Sequence, residues 1–262
     1  MHSIYYQSLN DSHTTVPLDN PKRILDVGCG RGDWASDIGA QYPGAKVTGS
    51  DIAPLQDELS KERNVQWEID DAEMYGGWAY SEKFDFIHFR TMKGAFKDWT
   101  YIYEQVFDNL VPGGWVEVVD YEDYNNILSR LGNDPWLAGW YHSLMEAIDK
   151  SSRPFSSAHL EPELLLQQGF EEVTTEVFPI PIGAWGVSES DITNATVFLK
   201  LQTEAVLPLC LRFLHDYGGW PLDQINASCE RIRELMLGLA TDPELARGCT
   251  LNIKVLKGRK PQ

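Results

Sequence analysis

The run Asp26-Val27-Gly28-Cys29-Gly30-Arg31-Gly32 puts a carboxylate ahead of glycines at alternate positions. Glycine carries no Cβ, so a ligand can come close to the backbone of such a loop. The run leads into Asp33-Trp34-Ala35-Ser36-Asp37-Ile38, with Trp34, Ile38 and Tyr42 at helical spacing and Asp33 placed to cap the start. A helix N-terminus offers free amides and a positive dipole end to anionic groups. Two cofactor classes use such a loop. A dinucleotide loop requires a third glycine where Asp33 stands and has no use for an acid before the first glycine, which disfavours a nicotinamide oxidoreductase. An ammonium beside a carboxylate, as in S-adenosyl-L-methionine, does have a use for Asp26.

Two further acids stand at intervals. Asp51 lies 25 positions after Asp26 and can accept from both hydroxyls of a ribose. That role is common to both cofactor classes. In Asp70-Asp71-Ala72, a carboxylate can accept from an adenine amino group while the next amide donates to a ring nitrogen. Asp71 is preferred over Asp70 for that position.

The elements that must hold these stations follow from the hydrophobic pattern. Strands are predicted over 23–27, 46–50, 65–69, 84–89 and 115–119, with helices over 33–42 and 95–109 between them. Pro112-Gly113-Gly114 reads as the turn that launches the fifth strand. Strands alternating with helices imply a mostly parallel sheet covered on both faces, with ligands at the carboxyl ends of the strands. Beyond Tyr121 the pattern turns helical: 134–150, 161–168, 190–215 with a break near Pro208, and 222–240, with strands at 170–178 and 250–256. The simplest organisation is an N-terminal arm, 1–22, and one domain, 23–262, with a cofactor half at 23–123 and an acceptor half at 124–262.

Composition limits the partners. The 262 residues carry 22 Lys+Arg against 39 Asp+Glu, a net charge of −17, which repels phosphate backbones and excludes nucleic acid as a favoured substrate. Cys29, Cys210, Cys229 and Cys249 are too scattered for a zinc ribbon, and the six His residues form no His-x₃-His pair, so no metal is expected. No apolar run approaches the roughly 18 residues of a membrane span. The expectation is an intracellular, cytoplasmic protein, with the nucleus the other compartment open to it.

Ile24-Leu25-Asp26-Val27-Gly28-Cys29-Gly30 resembles motif I of the class I S-adenosylmethionine-dependent methyltransferases, and Asp51 resembles the acid that closes their second strand. Phe84 to Arg90 and Leu110 to Glu117 resemble motifs IV and V. The Ile87-His88-Phe89-Arg90 stretch, Lys97-Asp98-Trp99, Pro181 to Trp185 and Gly258 to Pro261 are similar to the fungal LaeA-like (TAM-domain) branch. The resemblance implies a Rossmann-like α/β fold with a seven-stranded, mostly parallel sheet and helical insertions after strand five. It implies that Gly28, Cys29 and Gly30 line the methionine end with Asp26 facing its ammonium, and that Asp51 holds the ribose. Ile52 would then pack on the adenine, Asp71 and Ala72 would read its edge, and Phe89 and Arg90 would meet the methionine portion. S-adenosyl-L-homocysteine would be the product.

The 22 residues before Arg23 are short for that family's lid. This implies a shortened lid, one completed by a homodimer partner or another protein, or a lost lid with weak cofactor binding. The sulfonium already activates the methyl group, so the protein has mainly to align an acceptor. Tyr121, His142 and Trp185 are candidates for the acceptor site, and no catalytic base is assigned. A small molecule of secondary metabolism is the favoured acceptor. The other reading is a non-catalytic or regulatory S-adenosylmethionine-binding subunit of a complex that controls secondary metabolism or development.

Overall fold

A computed structural model describes residues 2–54, 62–74, 76–123, 125–131, 134–186 and 189–262. Among these, seven strands form one sheet in the order β3-β2-β1-β4-β5-β7-β6. The strands are β1 (Arg23–Val27), β2 (Lys46–Asp51), β3 (Val65–Ile69), β4 (Phe84–Arg90), β5 (Leu110–Tyr121), β6 (Glu171–Pro181) and β7 (Thr250–Arg259). The β1–β2, β1–β4, β2–β3 and β4–β5 pairs are parallel, whereas β7 runs antiparallel to β5. The expected mostly parallel, Rossmann-like α/β sheet is the sheet observed. Chain order reverses between β1 and β4, which is where a doubly wound sheet opens a crevice for ligands.

Alternation along the strands gives each face its own core. Leu25, Val27, Ile87, Phe89, Val116 and Val118 pack with helix α3 (Trp99–Asn109). Ile24, Val47 and Phe86 pack instead with Trp34, Ala35 and Ile38 of helix α2 (Asp33–Gln41). The α2 face also carries a polar row, because register aligns Asp26 with His88, His88 with Glu117, and Glu117 with Lys257. Asp26, His88 and Glu117 are all buried. The N-terminal segment crosses this row. Thr15 donates to Glu117 Oε1 from its amide (2.7 Å) and its hydroxyl (2.9 Å), and Lys257 Nζ donates to the Thr15 carbonyl (3.1 Å). Ahead of it, helix α1 (His2–Ser8) buries Ile4 and Tyr5.

Three local expectations change. Gly32, at φ +81°, occupies the cap of α2, and Asp33 is the first helical residue with no capping bond. A left-handed residue at the entry is a conformation glycine adopts freely, which leaves Asp33 no capping role. Helix α3 begins at Trp99 because Asp98 accepts from the Thr100 and Tyr101 amides. The Pro112-Gly113-Gly114 segment lies within β5, not before it. The Gly113 amide donates to the Lys260 carbonyl, and the ladder slips between Phe84 and Phe86, so these glycines accommodate an irregularity inside a strand.

The chain condenses into two units: 2–121 with 157–178 and 253–262, and 122–156 with 179–252. The first holds helix α6 (Pro162–Gln167) and most of the sheet. The second holds α4 (Asn125–Arg130), α5 (Pro135–Ser151), α7 (Glu189–Cys210), α8 (Leu222–Thr241) and α9 (Pro243–Ala246). Asp134 caps α5 through the Trp136 amide, and that bond holds its carboxyl below the usual carboxylate range. Pro208 withdraws one donor from the last turn of α7, and the chain continues at Leu211–His215 in the wider π-helical winding. Among the described residues no helix is long and apolar enough to cross a membrane.

Candidate functional site

The glycine loop is pinned to the end of β2. The Gly28 and Cys29 amides both donate to the Ser50 carbonyl, at 2.8 and 3.0 Å. The Gly30 amide donates to Asp51 Oδ2 at 2.9 Å, and the Ala53 amide to Asp51 Oδ1 at 3.1 Å. The loop and the second acid, 21 residues apart, are thus one construction. A carboxylate offers about four lone-pair directions, and these two amides use two of them. The remaining two are left to other donors.

All three loop glycines have positive φ, but their surroundings differ. A Cβ on Gly28 would stand 2.3 Å from the Met92 sulfur, and one on Gly32 would stand 2.3 Å from the Trp67 ring. The same indole lies 2.5 Å from where a Cβ on Gly49 would be, so Trp67 of β3 lies across both glycines. Of the three, Gly30 faces open space among the described residues, with none of them within 4 Å of its would-be Cβ. Gly32 and Gly49 therefore make room for a tryptophan, whereas no described side chain fills the space beside Gly30. Sequence reasoning missed Trp67 and Met92. A glycine inside β2, at Gly49, was the available signal, because it marks a close approach.

Asp26 has a buried partner within the fold. Its Oδ1 lies 2.8 Å from His88 Nδ1, and His88 stacks on Trp34 with centroids 3.7 Å apart. The carboxylate is committed to the buried row on the α2 face, because the side chain of Asp26 alternates to that face. Ile52, by contrast, is 72% exposed directly after Asp51, and Ile69 and Met74 are also exposed. Because Asp51 pairs with Ile69 in the sheet, this apolar surface adjoins the β2 and β3 ends, suited to a flat ring. Asp71 accepts from the Glu73 amide at 3.0 Å, and the Ala72 carbonyl accepts from Trp78 Nε1 at 3.0 Å.

Past β4, the ring of Phe89 is fully buried against Phe96 and Trp99, so only its backbone can meet a ligand. Arg90 turns to the N-terminal helix. Its Nη1 donates to His2 Nδ1 at 3.0 Å, and its guanidinium lies 5.0 Å from the Tyr5 ring centroid. Tyr5 pairs with Thr91 Oγ1 at 2.7 Å, and burial, then the Asp120 charge, pushes its phenol far above the ordinary range. Tyr121 is buried beside Tyr5, with ring centroids 5.4 Å apart. Asp120 accepts from the Lys93 and Tyr121 amides, at 2.7 and 2.8 Å, and lies 3.2 Å from His159 Nε2. The other two acceptor candidates belong to the second unit. His142 is exposed on α5, 3.5 Å from Glu146, and Trp185 Nε1 donates to the Cys249 carbonyl at 2.7 Å.

The loop, Asp51, Ile52, Asp71, Ala72 and the end of β4 are thus assembled on the first unit by strands β1 to β4. A family model described as a methyltransferase domain matches residues 3–175. The methyltransferase pytC of Aspergillus terreus is 36% identical over 240 residues, 89% of this chain and 72% of the relative. The secondary metabolism regulator laeA of Monascus pilosus is 30% identical over 227 residues, 86% of this chain, which spans 61% of that relative. Among solved structures, the cyclopropane synthase MmaA2 of Mycobacterium tuberculosis superposes with a TM-score of 0.58 at 18% identity, over 98% of this chain and 83% of that one. That last likeness concerns the fold. With a matching family model over most of its length, the chain belongs to the methyltransferase-domain family.

Proposed function

We propose that this chain uses S-adenosyl-L-methionine to methylate a small-molecule acceptor of secondary metabolism. The observation that carries the reading is the open space at Gly30, held beside Asp51 by the amide bond between them. The residues present fit such a cofactor: Asp51 retains two acceptor directions, and Ile52 offers an exposed apolar surface at the strand end. The relationship to the methyltransferase pytC supports methyl transfer, and that to the secondary metabolism regulator laeA supports the metabolic setting. The bound cofactor supplies a methyl group on a sulfonium, already activated for displacement.

The chain's own contribution is binding and alignment. Asp51 accepts from the ribose, Gly30 admits the ligand to the backbone, and Asp71 with the Ala72 amide reads the base. Asp26 acts through the scaffold, holding His88 and Trp34 under the loop. Alignment of an acceptor with the methyl–sulfur bond is the larger part of such catalysis, worth about 7–11 kcal/mol.

A regulatory cofactor-binding role is the second reading, and one observation favours it. Asp120, the last acid within β5, accepts from two amides and lies 3.2 Å from His159 Nε2, and Tyr5 keeps its proton. The relationship to laeA agrees with that reading. Calorimetric titration of the purified chain with S-adenosylmethionine, S-adenosylhomocysteine and NAD tests the shared premise. Binding of both sulfur cofactors without NAD supports it, and binding of neither refutes it for the chain alone. Turnover with a panel of hydroxylated aromatic and heterocyclic acceptors then separates the enzyme from the regulator.

A further inference from the structure

His2, His13 and Asp37 lie 11 and 24 residues apart in the chain, yet the fold gathers them. One donor atom from each lies within 4.8 Å of the others. His2 Nε2 is 2.7 Å from Asp37 Oδ2, and the His2 and His13 rings stack with centroids 5.7 Å apart at 15°. His13 Nδ1 is buried with no hydrogen-bond partner among the described residues. A polar atom in that position costs about 1–3 kcal/mol unless something meets it. A water-sized void lies between His2, Ser12, His13, Trp34, His88 and Arg90. None of the trio belongs to the cofactor loop or its acids.

We propose that His2, His13 and Asp37 bind one divalent cation of the Zn²⁺ class, fastening the N-terminal segment to α2. Two imidazole nitrogens and a carboxylate are the donors of zinc sites that keep an open fourth position for water. Zn–N and Zn–O bonds of about 2.0–2.1 Å place tetrahedral donors roughly 3.4 Å apart, so the His2–Asp37 pair has to open from 2.7 Å and any wider donor pair, within 4.8 Å, has to close. Asp37 can do this, since its side chain is half exposed on α2. Burial holds both imidazoles below their ordinary pKa, and for His2 the Arg90 charge adds to it. Both rings are then neutral at pH 7, the form that ligates.

Arg90 opposes the cation. A guanidinium only donates, so its bond to His2 Nδ1 leaves the imidazole proton on Nε2, pointing at Asp37. A cation on Nε2 sends that proton to Nδ1, where it meets Arg90 donor to donor. Arg90 must then leave His2. Binding therefore exchanges an Arg90–His2–Asp37 chain of hydrogen bonds for a metal centre.

The test uses the full-length, tag-free, chelator-treated chain titrated with Co²⁺, then with Zn²⁺ in competition. The expected result is one equivalent of Co²⁺ with tetrahedral visible bands and no near-ultraviolet thiolate charge-transfer band, displaced by Zn²⁺. Asp37→Asn and His13→Ala each weaken binding by roughly 10-fold or more, while Arg90→Ala tightens it. Circular dichroism of each variant confirms that it is folded, and Asp37→Asn, on an exposed surface, is the variant least able to disturb the fold. No saturable binding, a thiolate band that assigns the metal to cysteine, or equal affinity in folded Asp37→Asn overturns the proposal.

Discussion

Replacing Gly30 and Gly32 separately by alanine distinguishes a glycine kept for a ligand from one kept for the fold. Both stand at positive φ, +55° and +81°, where a Cβ costs about 1–2 kcal/mol. For Gly30 that is the cost expected, since its Cβ meets none of the described residues within 4 Å. For Gly32 the Cβ would stand 2.3 Å from the Trp67 ring, which the Gly49 backbone already crowds from another side. Overpacking of that kind adds about 1–3 kcal/mol, for a total of roughly 2–5 kcal/mol. At about 2–4 °C per kcal/mol for chains of this size, Gly30→Ala lowers Tm by roughly 2–8 °C and Gly32→Ala by roughly 4–20 °C. Binding reverses the order. Gly30→Ala puts a methyl group into the space assigned to the cofactor and weakens S-adenosylhomocysteine, whereas the folded fraction of Gly32→Ala binds it more nearly as the parent does. Differential scanning calorimetry gives the first ordering and isothermal titration the second. Parent-like affinity in folded Gly30→Ala would refute the assignment of that open space.

Asp51→Asn keeps the shape but supplies one acceptor oxygen in place of two, so a loop amide or a ribose hydroxyl loses its charged partner. The loss of about 1.5–3 kcal/mol corresponds to roughly 10- to 150-fold in Kd, read by titration with S-adenosylhomocysteine; an unchanged Kd removes Asp51 from the site. His88→Ala leaves the Asp26 carboxylate buried without its imidazole and strips the ring stacked on Trp34. Urea unfolding is expected to show a loss of about 1–3 kcal/mol together with altered tryptophan fluorescence, and an unshifted midpoint argues against a buried pair. Thr15→Val keeps the amide bond to Glu117 but removes the hydroxyl between Glu117 and Lys257. Hydrogen exchange at residues 9–16 should accelerate by roughly 2- to 10-fold, in line with about 0.5–1.5 kcal/mol; unchanged protection means the segment is held elsewhere.

The sheet was legible in the sequence because β1, β4 and β5 carry clustered apolar residues bounded by glycine, proline or acids, with strand-length segments at β2 and β3 between them. Asp26 to Gly32 and Asp51 were legible because glycines at alternate positions after a strand, followed by an acid at the end of the next strand, are residue types that nothing else in the chain requires in that order. Boundaries were less so, as Gly113 and Gly114 show: a glycine pair reads as a turn, yet here it lies within β5 against the Lys260 carbonyl.

By itself the sequence determined the parallel sheet, the glycine loop after β1 and the acids at the ends of β2 and β3. These are local matters of side-chain period and backbone freedom. The tertiary structure decided what each of those residues faces. It turned Asp26 toward His88, laid Trp67 across Gly32 and Gly49, left Gly30 open, and brought His2, His13 and Asp37 together. Such contacts join residues 11 to 62 positions apart, and they depend on which strands pair and in what register. A one-residue slip of a strand moves every side chain to the opposite face, so partners across the sheet exist only once the register does.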